Sequence, residues 1–141
     1  MSNFKSQSHT KWDCKYHVVF IPKYRKQKLY VGLRPYLGEH FQDLAKRLEC
    51  RIEEGKMRND HVHMVISIPP KHSVARVIGF IKGKSAIAMA QRQGRAANFR
   101  NHHFWARGYC VSTVGLNEMQ IREYVRNQEL ADQKSDQLTM W

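Results

Sequence analysis

Two segments of this chain alternate like buried β-strands, each is stopped by proline, and each is followed by a stretch with helical spacing. That order restricts the fold more than any other feature. From Lys11 to Pro22, Trp12, Cys14, Tyr16, Val18 and Phe20 fall on one face by period two, while Val19 and Ile21 make the other face apolar too. A strand apolar on both sides belongs in the middle of a sheet. The second segment runs from His61 to Ile68 and ends at Pro69-Pro70. After the first, Pro35 suits a first helical turn, and Leu37, Phe41, Leu44 and Leu48 predict an amphipathic helix over Arg34 to Leu48. After the second, Ser73 is placed to cap a helix with Val74, Val77, Ile78, Ile81 and Ala88 as its apolar stripe and Gly94 as its stop.

The remaining elements complete the plan. Cys50 to Met57 is a weaker strand, joined to the second strong one by the turn Arg58-Asn59-Asp60. Arg95 to His103 reads as a basic loop, and Phe104 to Val114 as a further strand. Asn117 with Gln120 three residues on forms a capping box that opens a last helix over Glu118 to Ala131. The order β-α-β-β-α-β-α is the split βαβ plan with one added helix. The expected class is α+β: a ferredoxin-like, RRM-like antiparallel sheet with helices on one face and an added C-terminal helix. The other sheet face is left for a partner or a site. The 141 residues make one domain, 1–141, with a loose arm over 1–10 and a tail over 133–141. RNA-binding modules share this plan, so the fold alone selects no function.

Charge narrows the partners. Lys and Arg number 24 against 12 Asp and Glu, a net +12, with a pI near 9.9. Such a surface favours a nucleic acid. No run approaches the ~20 apolar residues of a membrane span, and Met1 to Lys11 has no apolar signal core, so a cytoplasmic protein with no membrane partner is expected. Cys14, Cys50 and Cys110 are far apart, which points to free thiols as small core residues.

Two spacings carry chemistry. His61 and His63 are two apart on a strand, so both imidazoles share a face, opposite Val62, Met64, Ile66 and Ile68. Side by side they form half of a metal site. Taken alone, the pair reads equally well as two satisfied histidines on a half-exposed strand. Tyr124 and Gln128, four apart, sit one turn above each other on the last helix; alone, they read as part of an amphipathic face with a core tyrosine. Asp60 is expected mainly as a turn residue, though it could orient an imidazole. His17 faces away from Tyr16 on the first strand, where it is expected to be buried and hydrogen-bonded.

Taken together, KYHVVFIPKYR (Lys15 to Arg25), DHVHM (Asp60 to Met64), IPPKHSV (Ile68 to Val74), the KGKSA run (Lys82 to Ala86), FWARGYCVSTVG (Phe104 to Gly115) and REYVRNQ (Arg122 to Gln128) closely resemble the small single-tyrosine transposases of the insertion-sequence-200/605 type, in the HUH endonuclease superfamily. The resemblance spans about Thr10 to Glu129. It implies that His61 and His63 hold a divalent metal, that Gln128 is a third ligand and that Tyr124 is the nucleophile. It further implies a homodimer that cuts and rejoins single-stranded DNA bearing hairpins at transposon ends, through a 5′-phosphotyrosine and a released 3′-hydroxyl. It also implies a late helix able to complete the partner's site in such a dimer.

Those residue types suit that chemistry. A cation neutralises non-bridging phosphate oxygens, and a neutral His-His-Gln set leaves its full charge available. Imidazole suits Mn²⁺ better than Mg²⁺, so Mg²⁺ in the cell and Mn²⁺ in vitro are expected. The phosphotyrosine conserves the bond energy, so no ATP-cradling motif is needed and none is present. Arg25, Lys26, Arg76, Lys82, Lys84 and Arg95 are the candidate phosphate contacts. Trp12, Tyr16, Tyr24, Phe104, Trp105 and Tyr109 are aromatics, most of them expected in the core, of which an exposed one could stack on a base. The competing readings are a histidine-triad hydrolase, which fails because its third histidine position is Val65; a non-catalytic module binding RNA or single-stranded DNA; and a domesticated relative acting on repeated palindromic elements.

Overall fold

The computed structural model describes residues 4–7, 10–92 and 104–138. Its elements, in chain order, are β1 (Lys5–Gln7), β2 (Thr10–Trp12), β3 (Lys15–Phe20), a 3-10 turn (Tyr24–Lys26), α1 (Gln27–Arg47), β4 (Arg51–Met57), β5 (Val62–Ser67), α2 (Val74–Arg92), β6 (Cys110–Ser112) and α3 (Glu118–Leu138). Four strands pair antiparallel in the order β4-β5-β3-β6. Numbered by their turn in the split βαβ plan, these are strands two, three, one and four, the ferredoxin-like arrangement expected from the sequence.

Period two gives the sheet two different faces. Val18 and Phe20 of β3, with Val62, Met64 and Ile66 of β5, pack against Leu37, Phe41 and Leu44 of α1 and Val77, Ile78 and Ile81 of α2. Phe20 is fully buried and meets Trp105 edge-on with ring centroids 4.8 Å apart; truncating such a ring to alanine costs about 3–5 kcal/mol. Cross-strand pairing puts His17 and Val19 of β3, His63 and Val65 of β5, Lys56 of β4, and Cys110 and Ser112 of β6 on the opposite face. There α3 packs through a small second cluster of Ile21, Ala106 and Val125, flanked by Ile121 and Tyr124.

The helix starts follow local chemistry. Ser73 Oγ accepts from the Arg76 N–H at 3.0 Å, capping α2. At α3 the Asn117 and Gln120 box closes reciprocally: the Gln120 N–H donates to Asn117 Oδ1 at 2.8 Å, and the Asn117 N–H to Gln120 Oε1 at 3.0 Å.

Five features differ from the sequence expectation. Helix α1 starts at Gln27, so Pro35 lies inside it. Proline cannot donate to the Val31 carbonyl four residues back, and Arg34 Nε donates to that oxygen instead, at 3.2 Å. Lys11 to Pro22 is interrupted at Asp13-Cys14, and its first part pairs as β2 with β1. Residues 5–7 are therefore one side of a hairpin, tied to the sheet by Lys5 on Glu53 at 3.0 Å, where a loose arm was expected. The strand expected over Phe104 to Val114 is reduced to three residues: Gly108 takes φ +80, and Lys82 Nζ holds the Ala106 and Gly108 carbonyls at 2.9 and 2.7 Å. Finally, α3 continues to Leu138, so residues 133–138 of the expected tail are helical. The expected basic loop and the Gly94 stop lie outside the described residues.

Candidate active site

His61 immediately precedes β5, and His63 follows Val62, so alternation aims both rings at the face opposite the core. The backbone at His61 is fixed twice: its carbonyl accepts from the buried Tyr30 hydroxyl at 2.8 Å and from the Arg58 N–H at 2.9 Å. Its ring is fixed by Asp60, whose Oδ1 lies 2.8 Å from Nδ1. Donation from Nδ1 to the carboxylate leaves the Nε2 lone pair free. Asp60 thus orients the imidazole as well as serving the turn. Burial, and then the neighbouring His17 and His61 rings, push the His63 pKa below its ordinary value, which favours the neutral form that can ligate a cation.

Both histidines open on a cleft of about 820 Å³ between the β4–β5 turn, the start of α1 and one face of α3. Its lining includes five cations, Arg34, Lys56, Arg58, Arg122 and Arg126, against Asp60, Glu118 and Glu129. Arg34 is held in place, with Nη1 donating to Asn59 Oδ1 at 2.9 Å and the Met57 carbonyl at 3.2 Å. Burial, and then the Asp60 carboxylate, raise the Glu129 pKa. An anion is the ligand that such a lining suits.

The candidate phosphate contacts fall elsewhere. Arg76 and Lys84 are exposed on α2, behind the sheet from the histidines. Lys82 is committed to two carbonyls and lies 5.9 Å over the Phe20 ring, and burial lowers its pKa to about 8. It is a structural clamp between α2 and the segment before β6. Arg25 and Lys26 sit on the 3-10 turn beside Tyr24, whose ring is exposed. Arg95 lies outside the described residues. Of the aromatics, Trp12, Phe104 and Trp105 are buried. The cleft cations are hard to read from sequence because they come from four places, α1, β4, the β4–β5 turn and α3. The available signals were the HxH turn, which carries Arg58, and the REYVRNQ run, which carries Arg122 and Arg126.

Tyr124 and Gln128 share a face of α3 that adjoins the cleft-lining face through Ile121 and Val125, and neither of the two lines the cleft itself. At 100° per residue, the lining positions Glu118, Ile121, Arg122, Val125, Arg126 and Glu129 centre about 100° around the helix from Tyr124 and Gln128. Tyr124 points instead toward the β3–β6 side, into the cluster with Ile21 and Ala106. Its hydroxyl is buried and has no hydrogen-bond partner among the described residues. Burial, and then Cys110, raise its pKa. Cys110 and His63 both pair with Val19, so they lie two strands apart, about 9–10 Å. Asp132 holds α3 down, accepting from the Tyr24 N–H at 2.8 Å with Lys23 Nζ 3.7 Å away. Among the described residues, no three His, Cys, Asp or Glu side chains form a ready metal centre, and no helix is long and apolar enough to cross a membrane.

A ferredoxin-like sheet thus carries an oriented HxH pair in a cleft whose cations outnumber its carboxylates. The family profile described as "Transposase IS200 like" matches residues 10–128, and the chain belongs to that family. It is 41% identical over 141 residues to the transposase for insertion sequence element IS200 of Salmonella typhimurium, covering 99% of this chain and 93% of that one. It is 26% identical over 122 residues to the ISDra2 transposase TnpA of Deinococcus radiodurans, covering 83% and 85%. A crystal structure of a transposase-like chain from Deinococcus radiodurans superposes with a TM-score of 0.70 at 25% identity, over 88% of this chain and 96% of that one. A REP-associated tyrosine transposase bound to a REP hairpin superposes with a TM-score of 0.54 at 12% identity, over 93% and 74%, a likeness of fold alone.

Proposed function

We propose that this transposase is a single-tyrosine enzyme of the HUH type that cuts and rejoins single-stranded transposon-end DNA, recognises subterminal hairpins and works as a cytoplasmic homodimer. The observation that carries the reading is the His61–His63 pair, oriented by Asp60 and opening on a cleft lined by five cations.

The donor set fits a divalent cation, Mg²⁺ in the cell and Mn²⁺ in vitro: His61 has Nε2 free, His63 is kept neutral, and Gln128 offers a neutral amide oxygen. When bound, the cation would offset charge on the non-bridging phosphate oxygens and orient the scissile phosphate. Arg34, Lys56, Arg58, Arg122 and Arg126 bind the flanking phosphates and hold the strand in register. Tyr124 Oη then attacks phosphorus. The new bond is the 5′-phosphotyrosine, the bond broken is P–O3′, the phenolic proton passes to water, and the 3′ oxygen takes up a proton and leaves as a hydroxyl. Rejoining reverses the exchange with another 3′-hydroxyl. Because Tyr124 is packed beside Ile21 and Ala106 and not in the cleft of its own chain, this reading has α3 serve the site of the partner subunit. The short outer strand β6, with Val111 and Val114 exposed, leaves a sheet edge for a second copy.

The test is a covalent-adduct assay with single-stranded oligonucleotides carrying the element ends and Mn²⁺ or Mg²⁺. A denaturant-stable protein–DNA species is expected, lost with EDTA and with Tyr124→Phe. An adduct that survives Tyr124→Phe at wild-type level overturns the assignment. Salt-sensitive hairpin binding with no adduct turns the reading to a binding module.

A further inference from the structure

We propose that His17 is a positioning residue for this centre: it bonds Nε2 of His63 and so sets which nitrogen His63 presents to the cation. The inference rests on the metal-dependent reading above.

His17 Nδ1 lies 3.4 Å from His63 Nε2, with ring centroids 5.6 Å apart and planes tilted by 45°. The contact crosses two strands and 46 residues of sequence. Register explains it: His17 pairs with Val65 and Val19 with His63, so His17 is the diagonal neighbour of His63 on the same sheet face. No other group among the described residues bonds the His17 ring, so this contact is what the structure gives it.

The same register decides the kind of role. His63 lies between the other two histidines, with His61 toward the start of β5 and His17 level with Val65. His17 and His61 are therefore about four strand residues apart, or about 13 Å at 3.3–3.4 Å each. That is too far for both to join His63 on one ion, which agrees with the lack of a three-residue centre among the described residues. His17 is placed beside His63 on the same sheet face instead. A histidine ligand gains from an acceptor on its other nitrogen, which fixes tautomer and ring plane. His61 has that acceptor in Asp60. With Nε2–H of His63 donating to His17 Nδ1, each histidine has one outer partner, and His63 is left with Nδ1 as its free lone pair. At 3.4 Å the contact is at the long end of hydrogen-bond reach.

The test compares His17→Leu and His17→Gln with wild type. Mn²⁺ affinity is measured by titration of the free protein, and the histidine tautomers by long-range ¹H–¹⁵N NMR of the metal-free protein. Leucine removes the acceptor; glutamine keeps a carbonyl oxygen in similar reach. Loss of an outer partner weakens metal binding by about 10–100-fold. The expected result is that order of loss for His17→Leu, recovery to within a few-fold of wild type for His17→Gln, and a His63 ring that is Nε2–H in wild type and a mixture in His17→Leu. Folding is checked by circular dichroism, and if His17→Leu is unfolded the wild-type tautomer and His17→Gln decide. Wild-type Mn²⁺ affinity in folded His17→Leu, equal weakening in both variants, or an Nδ1–H His63 in wild type overturns the role of His17 alone. A wild-type protein that binds no Mn²⁺ overturns the metal reading and this inference with it.

Discussion

Tyr124, the proposed nucleophile, is not well placed for stability, and that contrast is testable. The Tyr124 hydroxyl is buried with no partner among the described residues, a state that costs about 1–3 kcal/mol. Tyr124→Phe is therefore expected to abolish the covalent adduct while raising unfolding free energy by about 1 kcal/mol, read as a higher urea midpoint at unchanged slope. A purely structural tyrosine would not separate the two. Lys82 shows the reverse assignment. Lys82→Met strands two carbonyls and is expected to cost about 1–3 kcal/mol, whereas exposed Lys84→Ala is expected to leave the midpoint unchanged. Burial lowers Lys82 to about 8, while the unfolded chain keeps that proton to about 10.4. Between those values the unfolded state binds more protons, so this group makes stability rise with pH. The midpoint gap between wild type and Lys82→Met should widen from about pH 7.5 to about pH 9.5; a narrowing gap would show that the carbonyls favour the ammonium more than burial opposes it. The histidine pair was legible because period two fixes a face. Lys82 was not, because a lysine in a basic chain looks like surface until its carbonyl partners are known.

Elements were legible where the signal was local. The Asn117 and Gln120 box and the Ser73 cap act within four residues, and both form as read. The start of α1 was hidden because the repair of Pro35 is made by the Arg34 side chain. The strand after Phe104 was overread because carbonyls that could have joined the sheet are held by a helix. The end of α1 offers a clean local test. The Cys50 N–H bonds the Ala45 carbonyl at 2.9 Å and the Glu49 N–H the Lys46 carbonyl at 3.0 Å, a Schellman turn with Glu49 at φ +57. Glycine takes that conformation without strain. Glu49→Gly is expected to stabilise by about 0.5–1 kcal/mol, seen as a higher melting temperature, despite losing the exposed contact to Lys71; a lower one would show that this ion pair outweighs the backbone strain.

At the scale of the whole molecule, the sequence showed the class of sheet but not which face α3 would cover, since its amphipathic stripe fits either. That placement decides how the site is completed. With α3 on the histidine face, its cationic side lines the cleft and its tyrosine side does not. The net charge of +12 is then unevenly useful. For single-stranded DNA, each lost phosphate contact lowers the slope of log affinity against log salt by about 0.7. Lys56→Ala and Arg126→Ala are expected to show that loss, and Lys84→Ala behind the sheet to show none. The cleft and the tyrosine also need not belong to one chain. A His61→Ala subunit lacks one proposed metal ligand but has a sound Tyr124; a Tyr124→Phe subunit has the reverse. If α3 serves the partner's cleft, a verified heterodimer of the two has one site built from the wild-type histidines of one chain and the wild-type tyrosine of the other, and its second site carries both lesions. Cleavage near half the wild-type level is expected from the heterodimer and none from either homodimer. If α3 instead turns into its own cleft, every site in the heterodimer keeps one lesion, and mixing restores nothing.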